Sequence, residues 1–285
     1  MTSRNGRRLR ELLAGERCLP LASVFDPLSV RAAGELGYEA AFLAGSVASL
    51  AVLGAPDLNL LTLDEFAALS RRICRASPLP LLVDADGGYG NALNVRRTVE
   101  ELAAAGVAGM TLEDTVLPQR FGEDGAMVSL AEAELKLAAA IEARPDPDFV
   151  IVARTSAFLQ EGLQAACRRI SSYAAAGADA IFVVGLKRRA ELAAVREAAC
   201  GLPIMAYAAG DEIRAGAELA AEGVRLLIIG HAPFAEAASA AYRTLAAQRD
   251  QPSPDEAAER RVARLSEATT YGERTKRYLA TGAGR

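Results

Sequence analysis

Four times the chain runs from an alanine-rich helical stretch through a glycine into a short apolar run: GELGYEAAFLAGS, LAAAGVAGMTLED, YAAAGADAIFVVG and LAAEGVRLLIIGH. Gly37, Gly106, Gly177 and Gly223 stand where a left-handed residue closes a helix and turns the chain into a strand. A repeated unit of helix, glycine and buried strand commits the chain to alternating α and β elements. The other apolar runs bring the candidate strands to eight, at about 19–24, 39–44, 80–84, 107–112, 148–153, 179–184, 202–207 and 224–229. Each is short and almost unbroken in apolar residues, as parallel strands covered on both sides are. Eight alternations predict an α/β protein built as a closed (β/α)8 TIM barrel. An open doubly wound sheet is the weaker reading, because no G-x-G-x-x-G follows the first strand.

With 285 residues and 51% hydrophobic content, one domain can bury its core without disulfides or structural metal. Thr62-Leu63-Asp64-Glu65 and Ser129-Leu130-Ala131-Glu132 read as capping boxes that start helices. The second of these helices puts Leu130, Ala133, Leu137 and Ile141 on one face and ends before Pro145. Residues 3–15 form a leading helix whose Leu9, Leu12 and Leu13 are expected to close the bottom of the barrel. The barrel domain is therefore assigned to residues 1–250. After Gln251-Pro252-Ser253-Pro254 a charge-rich helical extension, 251–285, has Val262, Leu265 and Ala268 as its apolar stripe. The break suggests an element that packs away from its own barrel, on a partner subunit.

The formal net charge of −4, with 24% charged residues, offers no basic field for a phosphate backbone or an anionic lipid surface, so nucleic acid and membrane are not expected partners. No apolar run approaches the roughly 20 residues that span a bilayer, and a cytoplasmic location is expected. Cys18, Cys74, Cys167 and Cys200 are widely spaced, with no C-x-x-C pair, and read as buried free thiols. Trp is absent and aromatics are 5%, which argues against a surface for stacking bases or sugars.

In such a barrel the residues at the carboxyl ends of strands face the mouth. Those positions hold Asp26, Gly45 and Ser46, Asp84 and Asp86, Glu113 and Asp114, Arg154, and His231, the chain's single histidine. Asp84 and Asp86 in LLVDADGGYGN, with Glu113 and Asp114 from the next strand, would bring several carboxylates together and repel one another without a cation. An oxygen-only ligand set suits Mg2+, or Mn2+. The alternative for any one aspartate is a helix cap. Arg154, in VIVARTSA, would either fork onto a substrate carboxylate or pair with the acids; recognition of a planar anion favours the first. The Gly45-Ser46 pair offers amides and a hydroxyl to a carboxylate or enolate oxygen, although Gly-Ser is also ordinary turn chemistry.

Taken together, SVFDP, AGSVASL, DADGGYGNALNV, TLEDT, ARTSA and GH resemble the isocitrate lyase and phosphoenolpyruvate mutase superfamily, in order, over residues 20 to 235. The resemblance implies a (β/α)8 barrel whose last helix is exchanged between subunits of a dimer or tetramer, and chemistry through a Mg2+-stabilised enolate of a small 2-oxo acid. Carried over by position, Asp84 matches the direct metal ligand, while Asp86, Glu113 and Asp57 match acids that hold the metal's waters. Ser46, the neighbouring amide of Gly45, and Arg154 match the groups at the substrate's carboxylate end. Lyases of the superfamily carry K-K-C-G-H after the fourth strand, whereas TVLPQRFGEDG here has no cysteine, histidine or lysine. The chain is most similar to the oxaloacetate decarboxylase branch, in which the histidine matching His231 contacts substrate. Decarboxylation of oxaloacetate or a close 3-carboxy-2-oxo acid to pyruvate is the activity implied. The alternatives are C–C or P–C bond cleavage of a related acid, or dicarboxylate binding without turnover. One departure is Gly87, where similar sequences often carry His or Thr.

Overall fold

The computed structural model describes residues 4–123, 125–208, 212–213 and 217–281. Eight parallel strands close a barrel in chain order: β1 (Leu19–Ser23), β2 (Ala41–Leu43), β3 (Leu81–Asp84), β4 (Gly109–Glu113), β5 (Val150–Thr155), β6 (Ala180–Val183), β7 (Ile204–Tyr207) and β8 (Val224–Ile228). The last pairs with the first, Leu19 beside Leu226 and Leu21 beside Ile228. Each strand lies close to its expected bounds, so the sequence-based architecture is borne out. The four repeat glycines are all left-handed, with φ of 82°, 92°, 94° and 84° from Gly37 to Gly223.

Between the strands lie α2 (Pro27–Glu35), α3 (Gly45–Leu53), α4 (Leu63–Ala76), α5 (Ala92–Ala104), α6 (Leu130–Glu142), α7 (Ala157–Gln160), α8 (Leu163–Ala175), α9 (Arg189–Ala198) and α10 (Ala217–Ala221). At the start of α4 the Thr62 and Glu65 side chains each accept the other's backbone N–H, as the capping box requires. At the start of α6 Ser129 Oγ accepts the Glu132 amide. Asp26 turns out to be a helix cap: its carboxylate accepts the Ser29 amide at 2.7 Å and starts α2.

Alternation along each strand separates two apolar sets. Leu21, Phe42, Leu82, Val150, Val152, Phe182, Met205, Leu226 and Ile228 fill the barrel interior, while the opposite faces pack under the helices. The leading helix α1 (Arg4–Ala14) inserts Leu9 and Leu13 into the interior set from the amino-terminal end, with Leu12 half-buried beside them. It closes the floor as expected.

Beyond β8 come α11 (Ala232–Ala247), α12 (Ala258–Leu265) and α13 (Ala268–Leu279). The main packing partner of α11 is α12. The expected stripe of α12 is corrected in part, because Leu265 is 49% exposed and the deepest side chain is Arg261. Its guanidinium donates to Ser239 Oγ at 2.6 Å, the Pro254 carbonyl at 2.6 Å and Glu256 at 3.0 Å, over the Tyr242 ring. With its donors so satisfied, an arginine can occupy the place a leucine was expected to take. Within this chain α13 returns to its own barrel, where the Gly122 amide donates to the Leu279 carbonyl at 2.8 Å. The thiols are less hidden than expected: Cys18, Cys74 and Cys167 are half-buried, and Cys200 is exposed in the turn after α9.

Candidate active site

The carboxyl ends of β3, β4 and β5 bring Asp84, Glu113 and Arg154 side by side, because Asp84 pairs with Thr111 and Glu113 with Arg154 across the parallel ladder. Asp84 accepts from Thr111 Oγ1 at 2.7 Å and from Arg154 Nη1 at 2.8 and 2.6 Å. Arg154 Nη2 lies 2.9 Å from Glu113 Oε2 as an ion pair, outside hydrogen-bonding geometry. Of the two readings of Arg154, the structure shows pairing with the acids. Burial opposes the guanidinium's charge, but Asp84 and Glu113 raise its pKa above the ordinary arginine value.

Asp86 follows in a left-handed conformation, φ 48°, and accepts from Asn59 Nδ2 at 2.9 Å. Burial, then the charges of Asp84, Asp57 and Glu113, push its carboxyl well above the usual range. Burial raises Glu113 as well, against the pull of Arg154. Asp57, on the rim before α4, is raised by desolvation and by Asp84. Asp114 does not join them. Next to Glu113 on an extended chain, it points the other way, where Tyr173 donates at 2.6 Å, Thr155 at 2.8 Å and Arg169 at 3.4 Å. The expectation that it converges on the mouth is corrected.

Among the described residues no three acidic, histidine or cysteine side chains close on one point, since Arg154 lies between Asp84 and Glu113. Three observations nevertheless fit a hard divalent cation here. The donors are all oxygens, four carboxylates outnumber the one arginine among them, and Glu113 Oε2 is buried without a hydrogen bond.

Gly45 and Ser46 open α3, whose first amides are free of partners within the helix. A Cβ on Gly45 would come within 3.1 Å of Asp86 Oδ1, so this helix end abuts the acids. His231 leads into α11, with Nδ1 2.8 Å from Ser23 Oγ and the ring against Phe42 and Tyr207. Burial lowers its pKa, opposed by Asp84. A cavity of about 560 Å3 opens beside Asp57 and Asn59, walled by Thr115–Gln119 and by Tyr271, Arg274 and Tyr278 of α13.

The structure thus gathers Asp57, Asp84, Asp86, Glu113 and Arg154, with Gly45 and Ser46 against Asp86 and His231 within reach of the Asp84 charge. Sequence reasoning missed Ser23, Asn59, Thr111 and Tyr207, of which Ser23 and Tyr207 end strands and could have been found by the rule that found the others.

A family profile described as Phosphoenolpyruvate phosphomutase matches residues 9–249. An oxaloacetate decarboxylase of Rhodopseudomonas palustris (strain BisA53) is 48% identical over 275 residues, 96% of this chain and 95% of the relative. One from Bradyrhizobium diazoefficiens is 50% identical over 248 residues, 87% of this chain and 86% of the relative. Among solved structures, oxaloacetate acetylhydrolase superposes with a TM-score of 0.79 at 28% identity, covering 96% of this chain and 99% of the other. Phosphonopyruvate hydrolase in complex with oxalate and Mg2+ gives 0.76 at 30% identity, covering 98% and 100%.

Proposed function

The chain belongs to the phosphoenolpyruvate phosphomutase family, and from that premise we propose that it is a carboxy-lyase that decarboxylates oxaloacetate, or a close 3-carboxy-2-oxo acid, to pyruvate. The observation that carries this reading is the surplus of carboxylates around Arg154, set against the free amides of α3. Relatives named oxaloacetate decarboxylase, aligned over nearly the whole chain, support it.

Asp84 would hold a Mg2+ ion directly, with Asp86, Glu113 and Asp57 reaching it through water. When bound, the ion would supply Lewis acidity to the developing enolate, a stabilisation on the order of several kcal/mol. Arg154, which pairs with Asp84 and Glu113 in the structure, would turn to the C1 carboxylate once a cation took its place beside those acids, joining the Ser46 hydroxyl and the amides of Gly45 and Ser46. With that end fixed, the C3–C4 bond breaks and its electrons enter the enolate as carbon dioxide leaves. A proton then adds at C3 to give pyruvate. His231 contacts and orients the substrate from the opposite side of the mouth.

We also propose a homo-oligomer, dimer or tetramer, in the cytoplasm, in which residues 251–285, whose α13 folds back on its own barrel in the single chain, pack on a partner subunit. A cavity of about 550 Å3 between the end of α2 and α10, lined by Leu19, Pro20, Leu36 and Tyr38, lies on the flank where an eighth barrel helix packs. No helix among the described residues is long and apolar enough to cross a membrane.

The test is a panel of oxaloacetate, substituted malates and phosphonopyruvate with Mg2+, read by pyruvate release. Oxaloacetate should be turned over fastest, and Asp84→Asn should lower that turnover by at least about a hundredfold. Preference for a malate or for phosphonopyruvate would favour C–C or P–C cleavage instead. Unchanged metal-dependent turnover in Asp84→Asn would refute the metal assignment.

A further inference from the structure

The only histidine in the chain has its ring held from three strands. Phe42, in β2, lies nearly parallel to it at 6.3 Å between centroids, and Tyr207, at the end of β7, meets it edge-on at 6.0 Å. Ser23, at the end of β1, places Oγ 2.8 Å from Nδ1. The rings fix the plane of the imidazole, and the hydroxyl fixes which nitrogen faces which way. Among the described residues Nε2 has no protein hydrogen-bond partner. Burial holds the pKa below the ordinary histidine value, so near neutral pH the ring is uncharged and bears one proton, on one nitrogen or the other.

We propose that Ser23 is a positioning residue whose hydroxyl donates to Nδ1, placing the ring proton on Nε2 and making His231 a hydrogen-bond donor toward the substrate. The reason lies in what the two sides can offer. A 2-oxo dicarboxylate and its enolate present only acceptors, so a bare Nε2 lone pair would repel the molecule it faces, and an Nε2–H attracts it. On the Nδ1 side a carboxylate or carbonyl would demand Nδ1–H and leave that lone pair on Nε2. A hydroxyl can donate, and so permits the useful tautomer. This assignment rests on the reading that His231 touches substrate, but the tautomer belongs to the protein alone and can be observed without turnover.

With one histidine, the 15N spectrum of the full-length, untagged protein contains one imidazole. Its nitrogens identify themselves, since Nε2 couples to both carbon-bound ring protons. At mildly alkaline pH the hydrogen-bearing nitrogen should be Nε2 and the lone-pair nitrogen Nδ1. A proton on Nδ1 in the wild-type protein overturns the proposal. Ser23→Ala should mix the tautomers and lower kcat/KM about tenfold, the scale of one lost hydrogen bond, with Mg2+ affinity and thermal midpoint unchanged. Ser23→Thr, which keeps the hydroxyl, should restore the Nε2–H signature and most of the activity. In a His231→Gln background Ser23→Ala should cost nothing further; an equal loss there would mean that Ser23 acts elsewhere, and the proposal fails. If His231→Gln alone leaves turnover intact, the substrate-contact reading fails while the tautomer result stands, which keeps the two failures apart.

Discussion

Three glycines follow Asp84 and Asp86, and they are not equivalent. Gly88 and Gly90 have φ of 79° and 145°, and a Cβ there would lie 2.4 Å from Val95 Cγ2 and 2.3 Å from Asn94 Oδ1. Gly88→Ala and Gly90→Ala should each cost about 1–3 kcal/mol in denaturant titrations. A Cβ on Gly87 meets nothing nearer than Lys136 Nζ at 3.4 Å, so Gly87→Ala should fold with near-native stability, and its kcat/KM reads what that position does. The acids were legible because a strand end points its side chains at the mouth, which found Asp84, Asp86 and Glu113. The same rule misplaced Asp114, since adjacent residues of an extended chain face opposite sides. It also left Arg154 with two readings. Ser23 beside His231, and Asn59 beside Asp86, are juxtapositions of residues 208 and 27 positions apart that exist only once the barrel has closed.

Among elements, the strands were the most readable, because each repeat glycine marks where a helix stops and a buried strand begins. The floor helix was equally plain from Leu9 and Leu13. Leu9 is fully buried in the interior set, and Leu9→Ala should cost about 2–5 kcal/mol, seen as a lower midpoint in urea with an unchanged slope. The extension was harder to read. Apolar spacing points to Leu265, yet α12 is seated by Arg261, whose partners Ser239 and Pro254 lie on other segments that no helical periodicity can reveal. Arg261→Met takes the buried donor from the Pro254 carbonyl and leaves the Ser239 hydroxyl only the longer bond from Arg243 Nη1, at 3.2 Å. It should loosen α12 from α11, read as faster amide exchange in residues 258–265 with the barrel strands still protected.

For the molecule as a whole, the mouth sets function against stability. Asp86 and Glu113 have folded pKa values raised above their unfolded ones, so the native state binds more protons in the window between the two. Stability of the metal-free protein should therefore fall as pH rises through that window. Scanning calorimetry should show a lower midpoint at neutral than at mildly acidic pH, with Mg2+ recovering more at the higher pH. Asp86→Asn should flatten the trend and raise the metal-free midpoint by a few degrees, while weakening the response to Mg2+. A flat profile shared by both proteins would contradict this. The plugged floor has a consequence of its own. With the interior packed by side chains and Leu9 and Leu13 stoppering its floor, nothing crosses the barrel: acid in, gas out, proton in and product out share the mouth end, where Thr115–Gln119 faces α13 across one cavity. Arrival and departure share that end, so whatever crowds it slows the departing gas as well as the arriving acid.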